Sequence, residues 1–123
     1  MPLERDPRLR STRAGAACAA QLGARRGYYG TDDSVEDVEA LRQTNVEGTR
    51  SLVRAALDAG VKRFVHTSTV AAIAYDRSGR PLDETAAYNF GPLRIPYCDT
   101  KHAAERVVRE EGVARGLDAV IVN

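Results

Sequence analysis

Tryptophan is absent from the 123 residues, and methionine, phenylalanine and cysteine are scarce, at one, two and two copies. The two cysteines, Cys18 and Cys98, have no metal-ligand spacing. They fit free thiols of a reducing compartment, so neither a disulfide scaffold nor a metal site is expected. No apolar run approaches the roughly 20 residues that span a bilayer. The opening Met1-Pro2-Leu3-Glu4-Arg5-Asp6 lacks the apolar core of a secretory leader, and the expected location is the cytoplasm. Charge of one sign is lacking too. The 18 basic and 17 acidic side chains nearly cancel, which argues against a nucleic-acid partner despite the arginines near the start. Also missing is a glycine-rich phosphate turn. Gly23, Gly27 and Gly30 have neither a strand before them nor a helix opening from them, and they read as a loop.

What remains is a soluble globular composition, 43% hydrophobic and 28% charged, sized for one domain or part of one. Residues 1–31 show little periodicity and form a poorly defined lead segment, a candidate for sequence not native to the fold. From Thr31 onward the pattern sharpens. Ser34 with Asp37 resembles a capping box. Val38, Leu41, Val46, Thr49, Leu52, Val53, Ala56 and Leu57 then recur at helical spacing until Gly60, predicting one long amphipathic helix. Asn45 lies on or near the apolar stripe, where the helix alone marks it as a polar boundary residue.

Val61–Thr69 reads as a buried strand whose end turns to hydroxyls at Thr67, Ser68 and Thr69. His66 is expected to pack against the sheet. Residues 75–96 form a long irregular link rich in turn signals, uncommon in a compact domain unless functional. Pro96 suits the first turn of a second helix. Glu105 with Arg109 and Arg106 with Glu110 are spaced as i,i+4 pairs on solvated faces. Leu117–Asn123 is a second buried strand. A helix joining two strands implies a parallel pair with a right-handed crossover. That geometry brings Tyr97, at the helix start, near the strand end carrying Thr67–Thr69.

Tyr97-Cys98-Asp99-Thr100-Lys101 places a phenol and an ammonium one above the other on a helix. At ~4 Å and an effective dielectric of ~20, their attraction in the phenolate form is roughly 4 kcal/mol. Such a pair suits proton exchange with a hydroxyl or carbonyl. Taken alone, the spacing is common by chance.

Its company is more specific. The chain carries Asn45-Val46-Glu47-Gly48-Thr49, then Lys62-Arg63-Phe64-Val65-His66-Thr67-Ser68-Thr69, then Tyr97–Lys101 with Ala104-Glu105, and finally Val120-Ile121-Val122-Asn123. In this order the segments resemble the extended short-chain dehydrogenase/reductases, the NAD-dependent epimerase/dehydratase group, over about Asp32 to Asn123. The resemblance implies an α/β fold: part of a Rossmann-like, doubly wound parallel sheet without the glycine-rich βαβ unit. Residues 32–123 are then the central and C-terminal part of an NAD(P)-binding domain. It further implies hydride transfer at a hydroxyl or carbonyl carbon with NAD or NADP as cofactor. Tyr97 would exchange the proton, Lys101 would hold the nicotinamide ribose, and Thr69 would hydrogen-bond the reacting oxygen. Asn45 matches the motif asparagine, and this match replaces the boundary reading. Thr67 and Ser68 join Tyr97 and Lys101 as cofactor-side residues. The implied substrate is a small hydroxyl or ketone compound or a nucleotide sugar, with a homodimer open to the full-length protein.

Two alternatives remain. One is a truncated, non-catalytic relative serving only as a binding module, and the other is an unrelated flavodoxin-like α/β module. A parallel sheet needs both faces covered, and two strands with two helices leave one face open. The isolated chain is therefore expected to be marginally stable and to hold dinucleotide weakly.

Overall fold

The same stop ends both helical segments of this computed structural model, which describes residues 35–123. At the first stop, Gly60 adopts a left-handed φ of 61°. Its N–H donates to the Leu57 carbonyl, and the Val61 N–H donates to the Ala56 carbonyl. At the second, Gly116 has φ 90°, with Gly116 and Leu117 donating to Val113 and Gly112. These are Schellman closures. Each turns the chain sharply into a strand, because glycine accepts a positive φ without a Cβ clash.

The first segment comprises α1 (Val35–Arg42), a π turn (Gln43–Glu47) and α2 (Gly48–Asp58). The expected helix is present, with Leu41, Val46, Thr49, Leu52, Val53 and Ala56 buried. The π turn was not expected. It adds one residue to a turn of helix, and it does so around Asn45. The Ser34 cap and the glycines at 23, 27 and 30 lie outside the described residues. The second segment is α3 (Pro96–Val107), a π turn (Val108–Gly112) and a 3-10 turn (Val113–Arg115), with Pro96 in its first turn.

Strands β1 (Phe64–Thr67) and β2 (Ala119–Val122) run parallel, with Phe64 opposite Ala119 and Thr67 opposite Val122. The parallel pair agrees with the sequence expectation. Its description as two buried strands needs correction. Phe64, His66, Ala119 and Ile121 occupy one face and are buried or half-buried. Val65, Val120 and Val122 occupy the other and are 55%, 42% and 50% exposed. Side chains alternate across a strand, and among the described residues the helices pack on one face only.

The core is an apolar wedge between the helices and the sheet, made by Val46, Val53, Ala56, Val107, Val108 and Leu117. Gly112 is what lets the elements close. A Cβ there would come within 3.2 Å of both Val53 Cγ1 and Leu117 Cδ2. Arg50 ties α2 to the end of the second segment, reaching Glu111 at 2.6 Å and also pairing with Glu47.

Candidate active site

The carboxyl end of β1 is tied down by backbone and side-chain hydrogen bonds. The Ser68 N–H donates to the Val122 carbonyl at 2.7 Å, extending the ladder beyond Thr67. Thr69 is extended, and its Oγ1 accepts the Ala71 N–H at 3.3 Å to cap the 3-10 turn Val70–Ala72. The cap uses the oxygen as acceptor, which leaves the hydroxyl hydrogen to be donated elsewhere.

α3 brings Tyr97 and Lys101 to this end. Lys101 Nζ donates to the Thr67 carbonyl at 3.2 Å. Tyr97 stands in the first turn and is half-buried, as is Lys101. Asn45 reaches the same turn from the other helical segment. Its Nδ2 donates to Thr100 Oγ1 at 3.0 Å, and Thr100 Oγ1 donates to the Tyr97 carbonyl at 3.1 Å. The Asn45 carbonyl accepts the Thr49 hydroxyl at 2.7 Å. Asn45 thus touches the turn that carries Tyr97, through Thr100, from within the π turn. Thr67 and Ser68 split between the two sides. Thr67 is exposed with the open face, while Ser68 Oγ is buried and has no partner among the described residues.

Glu105 lies one turn beyond Lys101 and corrects the sequence reading. It does not sit on a solvated face: it is 2% exposed. Arg109 donates to it at 2.9 Å and Asn123 at 2.6 Å. The same Asn123 amide donates to the Thr69 carbonyl at 3.0 Å. Glu105 therefore braces the end of β2 and the Thr69 backbone together. Sequence reasoning saw the Glu105–Arg109 spacing but missed Asn123 as the second partner, and nothing local could have revealed it. Arg106 and Glu110 do form the exposed pair that was expected.

His66 projects from β1 into the helix-facing side and is 1% exposed. Burial, aided by the Lys101 charge and opposed by Glu105, lowers its pKa to about 4. Neither ring nitrogen has a hydrogen-bond partner among the described residues. It is a neutral packing group beside the lysine. Cys98 is a buried free thiol, and burial pushes its pKa up. Among the described residues no cluster of His, Cys, Asp or Glu could hold a metal ion. No helix there is long and apolar enough to cross a membrane.

The strand end with its hydroxyls is met by Lys101 from the crossover helix, whose first turn carries Tyr97. The family model of the NAD dependent epimerase/dehydratase family matches residues 20–123. The chain belongs to that family. It is 34% identical to cinnamoyl-CoA reductase 1 of Oryza sativa subsp. japonica, over 95% of this chain and 38% of the relative. It is 38% identical to the UDP-glucose 4-epimerase of Rhizobium meliloti, over 73% of this chain and 26% of the relative. The crystal structure of gox2253 superposes with a TM-score of 0.61 at 36% identity, over 79% of this chain and 28% of that one. The chain thus spans between about a quarter and two fifths of the length of these curated relatives. The family is NAD(P)-dependent, and the α/β fold of the epimerase/dehydratase member is Rossmann-like with partial coverage.

Proposed function

We propose that this epimerase/dehydratase family member carries the proton-transfer half of an NAD(P)-dependent oxidoreductase or epimerase/dehydratase, acting at a hydroxyl or carbonyl carbon. The supporting observation is the 3.2 Å contact from Lys101 Nζ to the Thr67 carbonyl, which sets the Tyr97 helix against the hydroxyl-bearing strand end. Tyr97 exchanges a proton with the substrate oxygen, helped by the Lys101 ammonium. Thr69 donates its remaining hydrogen to that oxygen, and Asn45 holds the Tyr97 turn through Thr100. When bound, the dinucleotide supplies the hydride carrier.

The residues present fit one end of that cofactor. Ligands of open α/β sheets bind beyond the strand carboxyl ends. There Lys101 offers a donor for a ribose hydroxyl, and the partnerless, buried Ser68 hydroxyl marks a polar position still to be satisfied. Nothing among the described residues fits the pyrophosphate. On this reading residues 32–123 are the central and C-terminal part of the dinucleotide domain. Cytoplasmic location and a homodimer of the whole protein belong to the same proposal. The relatives are named for a cinnamoyl-CoA and for UDP-glucose, so a small carbonyl compound or a nucleotide sugar is the proposed substrate class.

The second reading is a non-catalytic relative that serves only as a binding module. Assays of the chain and of the longest open reading frame containing it separate the two. In an active protein, Tyr97→Phe should abolish turnover and leave NAD(P)H affinity within about threefold, because the phenol hydroxyl acts on the substrate oxygen. Preserved turnover with lost affinity would overturn the assignment. Failure of every such product to bind NADH would leave the binding-module reading.

A further inference from the structure

The long link between β1 and α3 is not loose at its base. The Tyr75 N–H donates to Asn89 Oδ1 at 3.0 Å, and Asn89 Nδ2 donates back to the Tyr75 carbonyl at 2.8 Å. This side chain imitates a ladder partner and closes the link into a loop. A row of rings continues from that closure. Tyr75 lies 5.1 Å from Phe90, and Phe90 lies 5.9 Å from Tyr88. Tyr88 then stacks on His102 with centroids 4.1 Å apart and planes only 13° from parallel.

Two hydrogen bonds fasten the end of that row. The Tyr88 hydroxyl donates to Asp99 Oδ1 at 2.5 Å, a charge-assisted contact. His102 Nδ1 lies 3.0 Å from the Ala72 carbonyl, in the turn that Thr69 caps. His102 therefore joins three segments: the Thr69 turn, α3 and the loop. Asp99 and His102 alternate along the chain with Tyr97 and Lys101 but do not share their side. At 100° per residue the two pairs point roughly 150° apart around the helix.

We infer that Tyr88, seated between Asp99 and His102, is a positioning residue that latches the 75–95 loop to the flank of α3, away from the Tyr97–Lys101 line. Latched there, the loop is fastened to the opposite side of α3 from that line. It also holds one fixed conformation, tied through His102 to the turn that Thr69 caps. The consequence for substrate rests on the function proposed above, whereas the latch itself does not.

Trypsin tests the latch directly. Arg77–Ser78 lies in the exposed part of the loop, while cuts after Arg50 and Arg106 require helix unfolding. In the purified chain, Tyr88→Phe removes the hydroxyl and keeps the ring. Cleavage at Arg77 should then rise about tenfold, the effect of losing one good hydrogen bond, with the helix cuts unchanged. Asp99→Asn retains an acceptor for the phenol and should stay within about threefold of the parent. An unchanged Arg77 rate in Tyr88→Phe overturns the latch. So does a rise matched by the helix cuts, because that reports general unfolding. Where the longest gene product turns over a carbonyl substrate, Tyr88→Phe should raise KM several-fold and leave kcat within about twofold. A freed loop with unmoved KM would reduce the contact to a structural tether. If the parent protein shows no turnover, the enzymatic reading fails and the cleavage rates still decide the latch.

Discussion

The two ends of this small α/β unit are held together in different ways. At the base, Val53, Val107, Val108 and Leu117 fill the space between helices and sheet with apolar volume. At the strand carboxyl end, Asn45, Thr100, Glu105, Asn123 and Thr69 are joined by directed hydrogen bonds. Volume tolerates rearrangement; a buried polar network tolerates little, since each missing partner leaves a desolvated group. The end that carries Tyr97, Lys101 and Thr69 is the one built from directional contacts. A third region, the outer sheet face with Val65, Val120 and Val122, is neither packed nor bonded by the described residues.

The contrast between the packed wedge and the open face is the easiest to break. Val108→Asp places an unpaired carboxylate in the fully buried wedge and should cost several kcal/mol, enough to abolish a cooperative urea transition. Val65→Asp, on the open face, should change the unfolding free energy by no more than about 0.5 kcal/mol. Equal damage from both would show that the outer face is covered.

Acid should strike the polar end next. The folded-state pKa of His66, about 4, lies below the ~6.5 of an unfolded histidine. Between these values the unfolded chain binds the additional proton. Stability is therefore full above about pH 6.5 and falls toward pH 4, by roughly 3 kcal/mol in total. Urea midpoints across that range should show the slope, and His66→Leu should flatten it. A parental slope that survives His66→Leu would assign the effect to other groups.

A double-mutant cycle on Asn45→Ala and Thr100→Val sharpens the role of the hydrogen-bonded end. The coupling should be about 1 kcal/mol; strictly additive effects would mean that Asn45 does not brace the Tyr97 turn. The smallest expected change is just before α3, where Arg94 has a left-handed φ of 50°. Arg94→Gly should raise stability by about 0.5 kcal/mol, as relief of the Cβ clash exceeds the added chain entropy. Loss of stability instead would show that the arginine side chain contributes more than the strain costs.

The sequence displayed the base of the unit more fully than its strand carboxyl end. Leu41, Val46, Leu52, Val53 and Ala56 declare their shared face by spacing alone, and Gly60 declares the stop. Tyr97 and Lys101 are legible as a pair for the same reason, since helical period puts them together. The Glu105–Asn123–Thr69 brace was not legible. Its members are separated along the chain, and Glu105 with Arg109 has the spacing of an ordinary surface pair. Likewise the π turn at Asn45 has no period of its own, and Tyr88 gives no local sign of meeting Asp99 and His102.

By itself the sequence determined the element order, the parallel pairing implied by a helix between two strands, and the residue types from which a proton-transfer site can be made. Those features follow from local periodicity, glycine stops and chemistry carried within a few residues. Tertiary structure decided which polar groups meet: Lys101 with the Thr67 carbonyl, Asn45 with Thr100, Glu105 with Asn123, and Tyr88 with Asp99. Hydrogen bonds between distant residues depend on angles and distances that the packed helices set, and spacing along the chain carries no record of them.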